Sequence, residues 1–188
     1  AQQGRIAVLA DPQAAVIREV KPDAVIDAIL AKRNTGTRIT DAPAVVGIGP
    51  GFTAGEDCHF VVETCRGHYL GKVIEHGPAQ ADTGQPGDIG GYTGQRLLRA
   101  PSAGRFAPLR EIGDMVQPGE IVAQVGAAPI AAQIGGVVRG MLPPGLEVPA
   151  GFKCGDIDPR GDRQYIYGIS DKARAVGGGA LEAVLRIW

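Results

Sequence analysis

This sequence of 188 residues has no excess of charge of either sign. It carries 19 basic and 20 acidic side chains and a formal charge of −1. Such a balance provides no general attraction to nucleic acid or to anionic lipid. Aromatic residues make up only 5% of the chain, so stacking platforms for single-stranded nucleic acid are not expected either. We therefore expect no nucleic-acid partner, and a core built mainly from Val, Ile, Leu and Ala.

Cysteine and long apolar runs are also scarce. The three cysteines, Cys58, Cys65 and Cys154, include no CxxC pair and indicate neither a disulfide framework nor a zinc ribbon. The longest apolar run, around residues 42–48, is too short to cross a bilayer, and the start of the sequence lacks the charged-then-apolar pattern of a signal peptide. We therefore expect a soluble cytoplasmic protein with no membrane partner.

Glycine and proline, by contrast, are abundant. Their 29 and 14 residues are spread among Val, Ile and Ala runs, which predicts many short strands and tight turns. Residues 1–56 have an α/β pattern, with a strand over 5–10, a helix over 14–20, and buried strands over 24–30 and 44–49 that pair in parallel. We interpret this segment as the tail of a Rossmann-like domain whose earlier strands are absent from the sequence.

Residues 57–99 form the second predicted segment. Two runs, 58–64 and 69–75, flank Gly67 and predict a β-hairpin with its glycine at the turn. The stretch 76–95 that follows is rich in Gly, Pro, Asp and Thr. Because a loop of this length is typically functional or mobile, we treat it as a candidate lid.

Residues 98–158 contain one β unit written twice. Two glycine-bent copies related by a pseudo-two-fold axis are expected to close into a flattened barrel, as in lipoyl and biotinyl domains and other barrel-sandwich hybrids. A carrier lysine would lie in the hairpin 125–130, but no lysine occurs between Lys72 and Lys153, which excludes a covalent swinging arm. The predicted barrel is therefore a scaffold or docking module. A shift of 32 residues aligns Ala100 with Ala132, Gly104 with Gly136, Phe106 with Val138, Gly113 with Gly145, Val116 with Val148, and Gly119 with Gly151.

The last segment, residues 159–188, is predicted to contain a strand over 164–169 and an amphipathic helix that starts near Gly179. We expect one face of this helix to pack in the core. The run Gly177–Gly179 predicts a turn or hinge, or else an anion site at the helix N-terminus. The expected core face consists of Leu181, Val184, Leu185 and Trp188, spaced at i, i+3, i+4 and i+7.

Side chains that carry chemistry cluster between residues 58 and 76, which contain all three histidines. On a strand, His59, Glu63 and Cys65 would share one face, and His68 would approach from the facing strand. Three interpretations stay open. These residues make structural hydrogen bonds, or they include a catalytic or ligand-binding group among His59, His68 and Glu63, or His59 and His68 hold a metal such as zinc.

Candidate ligand-binding residues lie at the ends of predicted strands. Gly49 and Gly51 belong to a glycine-rich stretch that follows a buried strand, where α/β folds bind ligands, although the Lys-Ser/Thr pair of a P-loop is missing. Lys32, Arg33 and Asn34 follow the preceding strand and suit either an anionic ligand or a solvated turn.

A second acidic and basic group lies further along the chain. Asp156 and Asp158 are two residues apart on a predicted strand, and Arg160 follows at the same parity. The two carboxylates suit a bound cation or a shared proton, or else an ion pair with the arginine that fixes a corner of the fold.

Several motifs are spread along nearly the whole chain. They are residues 31–34, residues 47–55 with Asp57 and His59, Glu63–Thr64 with residues 66–68, and residues 82–84, 155–160 and 170–173. These motifs resemble those of one family, the selenium-dependent molybdenum hydroxylase system proteins, which are accessory proteins of molybdenum hydroxylases that need labile selenium. The resemblance implies a role in maturing the enzyme or its cofactor, leaves the cofactor of the chain itself unknown, and adds Asp57, Arg66, Thr83 and Lys172 to the candidate ligand-binding residues.

We therefore predict an accessory or maturation protein that binds a molybdenum hydroxylase or its cofactor. One alternative is an enzyme acting on a pterin-like or nucleotide-like cofactor, with His59 or His68 as general base and Lys32 or Arg33 holding an anionic group. A second alternative is a structural module that forms a homo-oligomer through an exposed face of the barrel.

Overall fold

The computed structural model of the protein describes residues 4–187, which form two compact units. Unit 1 comprises the residues up to Thr83 together with the segment from Asp171, and unit 2 comprises Gly84–Ser170. The elements of unit 1 are α1 (Val16–Val20), β1 (Ala24–Asp27), β2 (Ala44–Ile48), β3 (Thr53–Ala54), β4 (Phe60–Val62), β5 (Val73–Ile74), β6 (Gly77–Pro78) and α2 (Asp171–Leu185). Those of unit 2 are β7 (Leu97–Arg99), β8 (Gly104–Pro108), β9 (Met115–Val116), β10 (Ile121–Val125), β11 (Ala128–Ala131), β12 (Gly136–Met141), β13 (Glu147–Val148) and β14 (Lys153–Asp158), with 3-10 turns at Gly94–Arg96 and Arg163–Ile166.

This division differs from the four segments predicted from the sequence. The predicted last segment, 159–188, is split, because residues up to Ser170 belong to unit 2 and the helix that follows belongs to unit 1. The chain therefore leaves unit 1 once and returns to it at α2.

Unit 1 is built on a four-stranded sheet in the order β1-β2-β4-β5. β1, β2 and β4 run parallel, as predicted for the segments 24–30 and 44–49, and β5 runs antiparallel to β4. All residues of β2 are buried, as expected of a central strand that is covered on both faces. β1 lies at one edge of this sheet.

The two faces of the sheet pack against different partners. α2 covers one face, where Ala180 and Ala183 pack with Val46 and Val62. The chain between β2 and β4 covers the other face, where Phe52 packs with buried strand residues. Within residues 4–187, no helix is both long and apolar enough to cross a lipid bilayer.

The C-terminal helix is longer than predicted and buries a different face. Gly177–Gly179 lie inside α2, so the predicted turn or hinge is wrong. Of the predicted core face, only Val184 packs against the core, whereas Leu181 and Leu185 are 60% and 61% exposed and Trp188 lies outside the described residues. Small residues form the buried face of α2 because the helix lies very close to the backbone of Gly71. A Cβ on Gly179 would overlap the carbonyl oxygen of Gly71.

Three further predictions of strands are also corrected. Residues 5–10 are exposed and form no strand. The predicted hairpin over 58–75 keeps its antiparallel pairing in β4 and β5, but residues 63–72 connect these strands in place of a tight turn at Gly67. The predicted strand 164–169 begins instead as a 3-10 turn, because the Asp162 side chain accepts a hydrogen bond from the N–H of Gln164.

Unit 2 repeats one arrangement of strands in the 32-residue register found in the sequence. Its two sheets have the orders β11-β10-β8-β13 and β7-β14-β12-β9. A shift of 32 residues takes the first residues of β8, β9 and β10 onto those of β12, β13 and β14. The first sheet contains β13 from the second copy of the repeat, where it pairs with β8. The second sheet contains β9 from the first copy, where it pairs with β12. Neither copy completes a sheet alone, and their buried residues share one core.

The loop predicted as a lid is anchored where it enters unit 2. Arg96 is buried, and its guanidinium donates hydrogen bonds to the carbonyl oxygens of Gly87 (3.0 Å) and Tyr92 (3.3 Å). It also donates to both carboxylate oxygens of Asp156, each at 3.1 Å. A single arginine thus fixes the loop to the strand β14.

Candidate anion-binding site

The loops that follow the three parallel strands of unit 1 lie at one edge of its sheet. They comprise residues 28–34 after β1, 49–51 after β2 and 63–66 after β4. Because parallel strands end at the same edge, this is the position at which open α/β sheets bind ligands. Several of the ligand-binding residues predicted from the sequence are found here.

Two glycines bring these loops together. Gly51 has a φ of +107°, and a Cβ on it would lie 2.5 Å from the backbone nitrogen of Arg33. Gly49 has a φ of +82°, and its Cβ would lie 2.7 Å from Oγ1 of Thr64. Both positions thus need glycine for backbone conformation and for the close approach of a neighbouring loop. Their role is to place the Arg33 and Thr64 loops at the same edge.

The loop after β1 is held in a strained conformation. Lys32 has a φ of +62°, which costs a residue other than glycine about 1–2 kcal/mol. Asn34 holds this loop, because its side-chain oxygen accepts the N–H groups of Gly36 and Thr37 and its amide group donates to the Asp57 carboxylate at 3.0 Å. The predicted ligand-binding residues Asn34 and Asp57 therefore support the loop that carries Lys32.

Lys172 lies half-buried in the first turn of α2. Burial lowers the pKa of its ammonium group, and the charges of Lys32 and Arg66 lower this pKa further, against the opposite effects of Cys65 and Asp82. Among residues 4–187, no side chain forms an ion pair with Lys172. The helix macrodipole also disfavours a cation in a first turn. The surrounding groups of the protein thus provide little compensation for the charge of the half-buried Lys172 ammonium group.

Arg66 and Asp171 complete the surroundings of Lys172. The guanidinium of Arg66 donates to both oxygens of the Asp171 carboxylate, at 2.6 and 3.1 Å. This pair is largely exposed, so it contributes little to stability, but it fixes the direction of the Arg66 side chain. Thr83 follows Asp82 at the end of the first segment of unit 1 and is exposed.

Glu63 has a structural environment. Its side chain is buried, with 6% of the residue exposed, and it accepts hydrogen bonds from the N–H groups of Thr64, Cys65 and Gln80 at 2.7, 2.7 and 2.8 Å. Three backbone donors thus fix the position of the carboxylate. Glu63 therefore shapes the loop after β4 and has a structural role.

The structure separates His59 and His68, which one of the three interpretations placed together on a metal ion. His59 precedes β4, and its Nδ1 accepts a hydrogen bond from the N–H of Val45 near the start of β2, at the edge opposite to Lys32. His68 lies in the loop after β4, is exposed, and stacks edge-to-face on Tyr69. No group of three or more His, Cys, Asp or Glu residues within 4–187 is placed to hold a metal ion. His59 therefore cannot act as a base for a ligand held by Lys32.

The three cysteines are free and differ in exposure. Burial raises the pKa of the Cys58 thiol to about 11, and burial also raises that of Cys154. Both are thus held in the unreactive thiol form at neutral pH. Cys65 is partly exposed and lies near enough to Lys172 to affect its pKa.

The predicted site at Asp156, Asp158 and Arg160 belongs to unit 2 and is an ion-pair network. Asp158 is fully buried and accepts from Arg160 at 2.6 Å and from Arg139 at 3.2 Å. The hydrogen bond from Arg160 is the main reason that the pKa of Asp158 is lowered. Since Asp156 is paired with Arg96, arginines already engage both carboxylates. These contacts match the second alternative given above, in which the carboxylates form ion pairs with arginine that fix a corner of the fold.

One residue at this edge was missed by the analysis of the sequence. Asp27 ends β1 and is 7% exposed, and its carboxylate accepts hydrogen bonds from the N–H of Ile29 and from the hydroxyl of Thr37. A signal was available, because a lone acidic residue at the end of an apolar strand lies where α/β folds bind ligands.

No protein-family model matches the chain. A longer protein from Escherichia coli (strain K12), named uncharacterized protein YqeB, is 51% identical over 186 residues, which are 99% of this chain and 34% of that protein. The chain therefore spans about a third of the length of this relative.

Two solved structures have a limited likeness to the chain. An aspartoacylase family protein from Mesorhizobium loti is 21% identical, with 34% of this chain and 22% of that chain covered and a TM-score of 0.31. A succinylglutamate desuccinylase/aspartoacylase from Rhodobacter sphaeroides is 25% identical, with 45% and 29% covered and a TM-score of 0.31. TM-scores this low carry no argument about fold or activity.

Proposed function

We propose that unit 1 binds an anionic small molecule at the carboxyl edge of its parallel strands, and that the protein serves as an accessory or maturation protein of a selenium-dependent molybdenum hydroxylase system. One observation carries the proposal. Lys172 is half-buried and has no ion-pair partner within residues 4–187. It follows Asp171, which pairs with Arg66 at this edge, and it lies within electrostatic range of Lys32.

Electrostatics support an anion at this position. A half-buried ammonium group loses hydration, is repelled by two neighbouring cations and opposes the dipole of α2. A bound anion would be attracted by the three cations and by the positive end of the α2 dipole, and this attraction would offset the cost of the half-buried ammonium group. Lys32 would face the same anion from a loop whose backbone strain is maintained by Asn34 and by the contact with Gly51.

The accessory role is proposed from the family resemblance, and an anion site is compatible with it because a protein that handles a cofactor must hold its charged groups. In this proposal unit 1 is part of a Rossmann-like domain, and unit 2 is a barrel-sandwich scaffold that docks the hydroxylase. The three free cysteines are in keeping with a cytoplasmic location. The oligomerisation module stays an alternative prediction, which light scattering tests.

Calorimetry with inorganic phosphate and pyrophosphate tests the anion site. We expect Lys172→Met and Lys32→Met each to weaken binding about tenfold, since each removes one charge-assisted contact. Lys21→Met is the matched control, because Lys21 is exposed and precedes β1, at the other edge of the sheet. Equal affinities in all four proteins would contradict the proposed site.

The accessory role needs a separate test. Immobilised protein should retain a purified molybdenum hydroxylase, and the retention should survive Lys172→Met if unit 2 does the docking. Failure to retain the enzyme at micromolar concentrations would remove the accessory role while leaving the anion site intact.

A further inference from the structure

A cavity of about 270 Å³ lies beside the end of β1 in unit 1. Its apolar wall comes from α1, the segment before it and β1, and its polar wall comes from the end of β1 and from residues 35–37. Among the lining residues are Pro12, Ile17, Val25, Asp27, Thr35 and Thr37. The cavity is thus apolar on one side and has carboxylate and hydroxyl groups on the other.

The polar wall of this cavity mainly offers hydrogen-bond acceptors. The Asp27 carboxylate accepts from the N–H of Ile29 at 3.0 Å and from Oγ1 of Thr37 at 2.6 Å, which uses two of about four acceptor positions. Oγ1 of Thr37 donates its proton to Asp27 and can itself still accept. The N–H groups of Gly36 and Thr37 are already bound to Asn34. A ligand that fits this wall must therefore bring donors, such as hydroxyl groups.

The cavity and the anion site meet at the carboxyl edge of the same sheet. Asp27 shares a face with Val25, which packs with Phe52, whereas α2 with Lys172 covers the other face, so a shared ligand must cross this edge. Asp27 pairs with Gly47 across the β1-β2 ladder, and Gly49 of the anion site follows two residues later. Strand geometry places the backbones of Asp27 and Gly49 about 8 Å apart. This separation suits a sugar hydroxyl and the phosphate of the same molecule.

We infer that the ligand of the proposed anion site is a ribose phosphate of the nucleotide class, with its vicinal hydroxyl groups on Asp27 and its phosphate towards Lys32 and Lys172. The apolar wall at Pro12, Ile17 and Val25 then faces the base. A carboxylate at the end of a parallel strand binds the two hydroxyls of a ribose well, because each of its oxygens can accept one of them. This inference rests on the anion site proposed above.

The experiment compares AMP with 2′,3′-dideoxy-AMP on the wild-type protein by calorimetry, with inorganic phosphate as a third ligand. We expect AMP to bind at least about tenfold more tightly than the dideoxy compound, because the latter brings no hydroxyl donors to the remaining acceptor positions of the Asp27 carboxylate. Asp27→Asn should remove most of this difference. Glu19→Gln, which makes the same change of charge on the exposed surface of α1, should preserve it.

The outcomes separate the two proposals. Equal affinity for AMP and its dideoxy analogue, with phosphate still bound, would overturn the ribose inference and leave the anion site standing. Binding of none of the three ligands would overturn both. If Asp27→Asn does not fold, as judged by circular dichroism, the pair of ligands on the wild-type protein decides the question.

Discussion

Gly179 offers a test of how α2 packs on unit 1, because alanine at this position has opposite effects on the helix and on its packing. Alanine favours a helix interior over glycine by about 1 kcal/mol. A Cβ at Gly179, however, would overlap the carbonyl oxygen of Gly71 and lie 2.9 Å from Cγ1 of Val62. Gly71 cannot give way easily, since its N–H donates to the carbonyl of Glu63 at 2.9 Å.

The expected loss follows from these two effects. Overpacking of this kind costs about 1–3 kcal/mol, and the upper end applies because the obstructing atom belongs to the backbone. After the gain in helix propensity, Gly179→Ala should lower the free energy of unfolding by about 2 kcal/mol. Gly177→Ala is the matched control, because a Cβ there meets no atom within 4 Å, and it should raise the free energy of unfolding by about 0.5–1 kcal/mol.

Urea denaturation followed by circular dichroism at 222 nm measures both variants. With an m-value of about 2 kcal/mol/M, their midpoints should differ by more than about 1 M. The helical signal comes mainly from α2, which has 15 residues against 5 in α1. Equal midpoints for Gly179→Ala and Gly177→Ala would refute the close packing of α2 on Gly71.

Two further predictions concern unit 2. Arg96→Met should lower the free energy of unfolding, measured by urea denaturation, by about 3 kcal/mol, because it leaves Asp156 without its buried partner. It should also make residues 84–95 sensitive to limited proteolysis, since the hydrogen bond to Gly87 is lost. Arg99→Met, at an exposed position of β7, is the control and should change neither result by much. Because its folded-state pKa is lowered, Asp158 contributes stability above its unfolded pKa of about 3.9, and this contribution is lost as the pH falls through the lower folded value. The Asp158→Asn variant should therefore be less stable than the wild type at neutral pH, and it should lose less stability than the wild type as the pH falls below about 4. If the denaturation midpoints of both proteins depend on acid pH in the same way, the proposed contribution of Asp158 is contradicted.

The sequence alone determined the features that depend on local backbone conformation and strand composition. The repeated glycines are one example, since Gly104 and Gly136 have φ values of +147° and +148°, and Gly119 and Gly151 have +84° and +77°. Such positions require glycine wherever they occur, so the 32-residue register could be found without a structure. The parallel pairing of β1 with β2 was likewise predictable from two apolar runs.

Tertiary structure decided which polar and small residues meet. Lys32 and Lys172 lie far apart in the sequence, and only the packing of α2 on the sheet brings their charges within range of each other. The same packing buries Ala183 and exposes Leu181, a choice that hydrophobic periodicity cannot make, because the closeness of a neighbouring backbone decides it. Asn34 and Glu63 looked like candidates for a site, but their hydrogen bonds with distant backbone groups and side chains give them structural roles. Composition and spacing specify the local fold, whereas burial and hydrogen bonding between distant segments determine which of the predicted side chains remain available to a ligand.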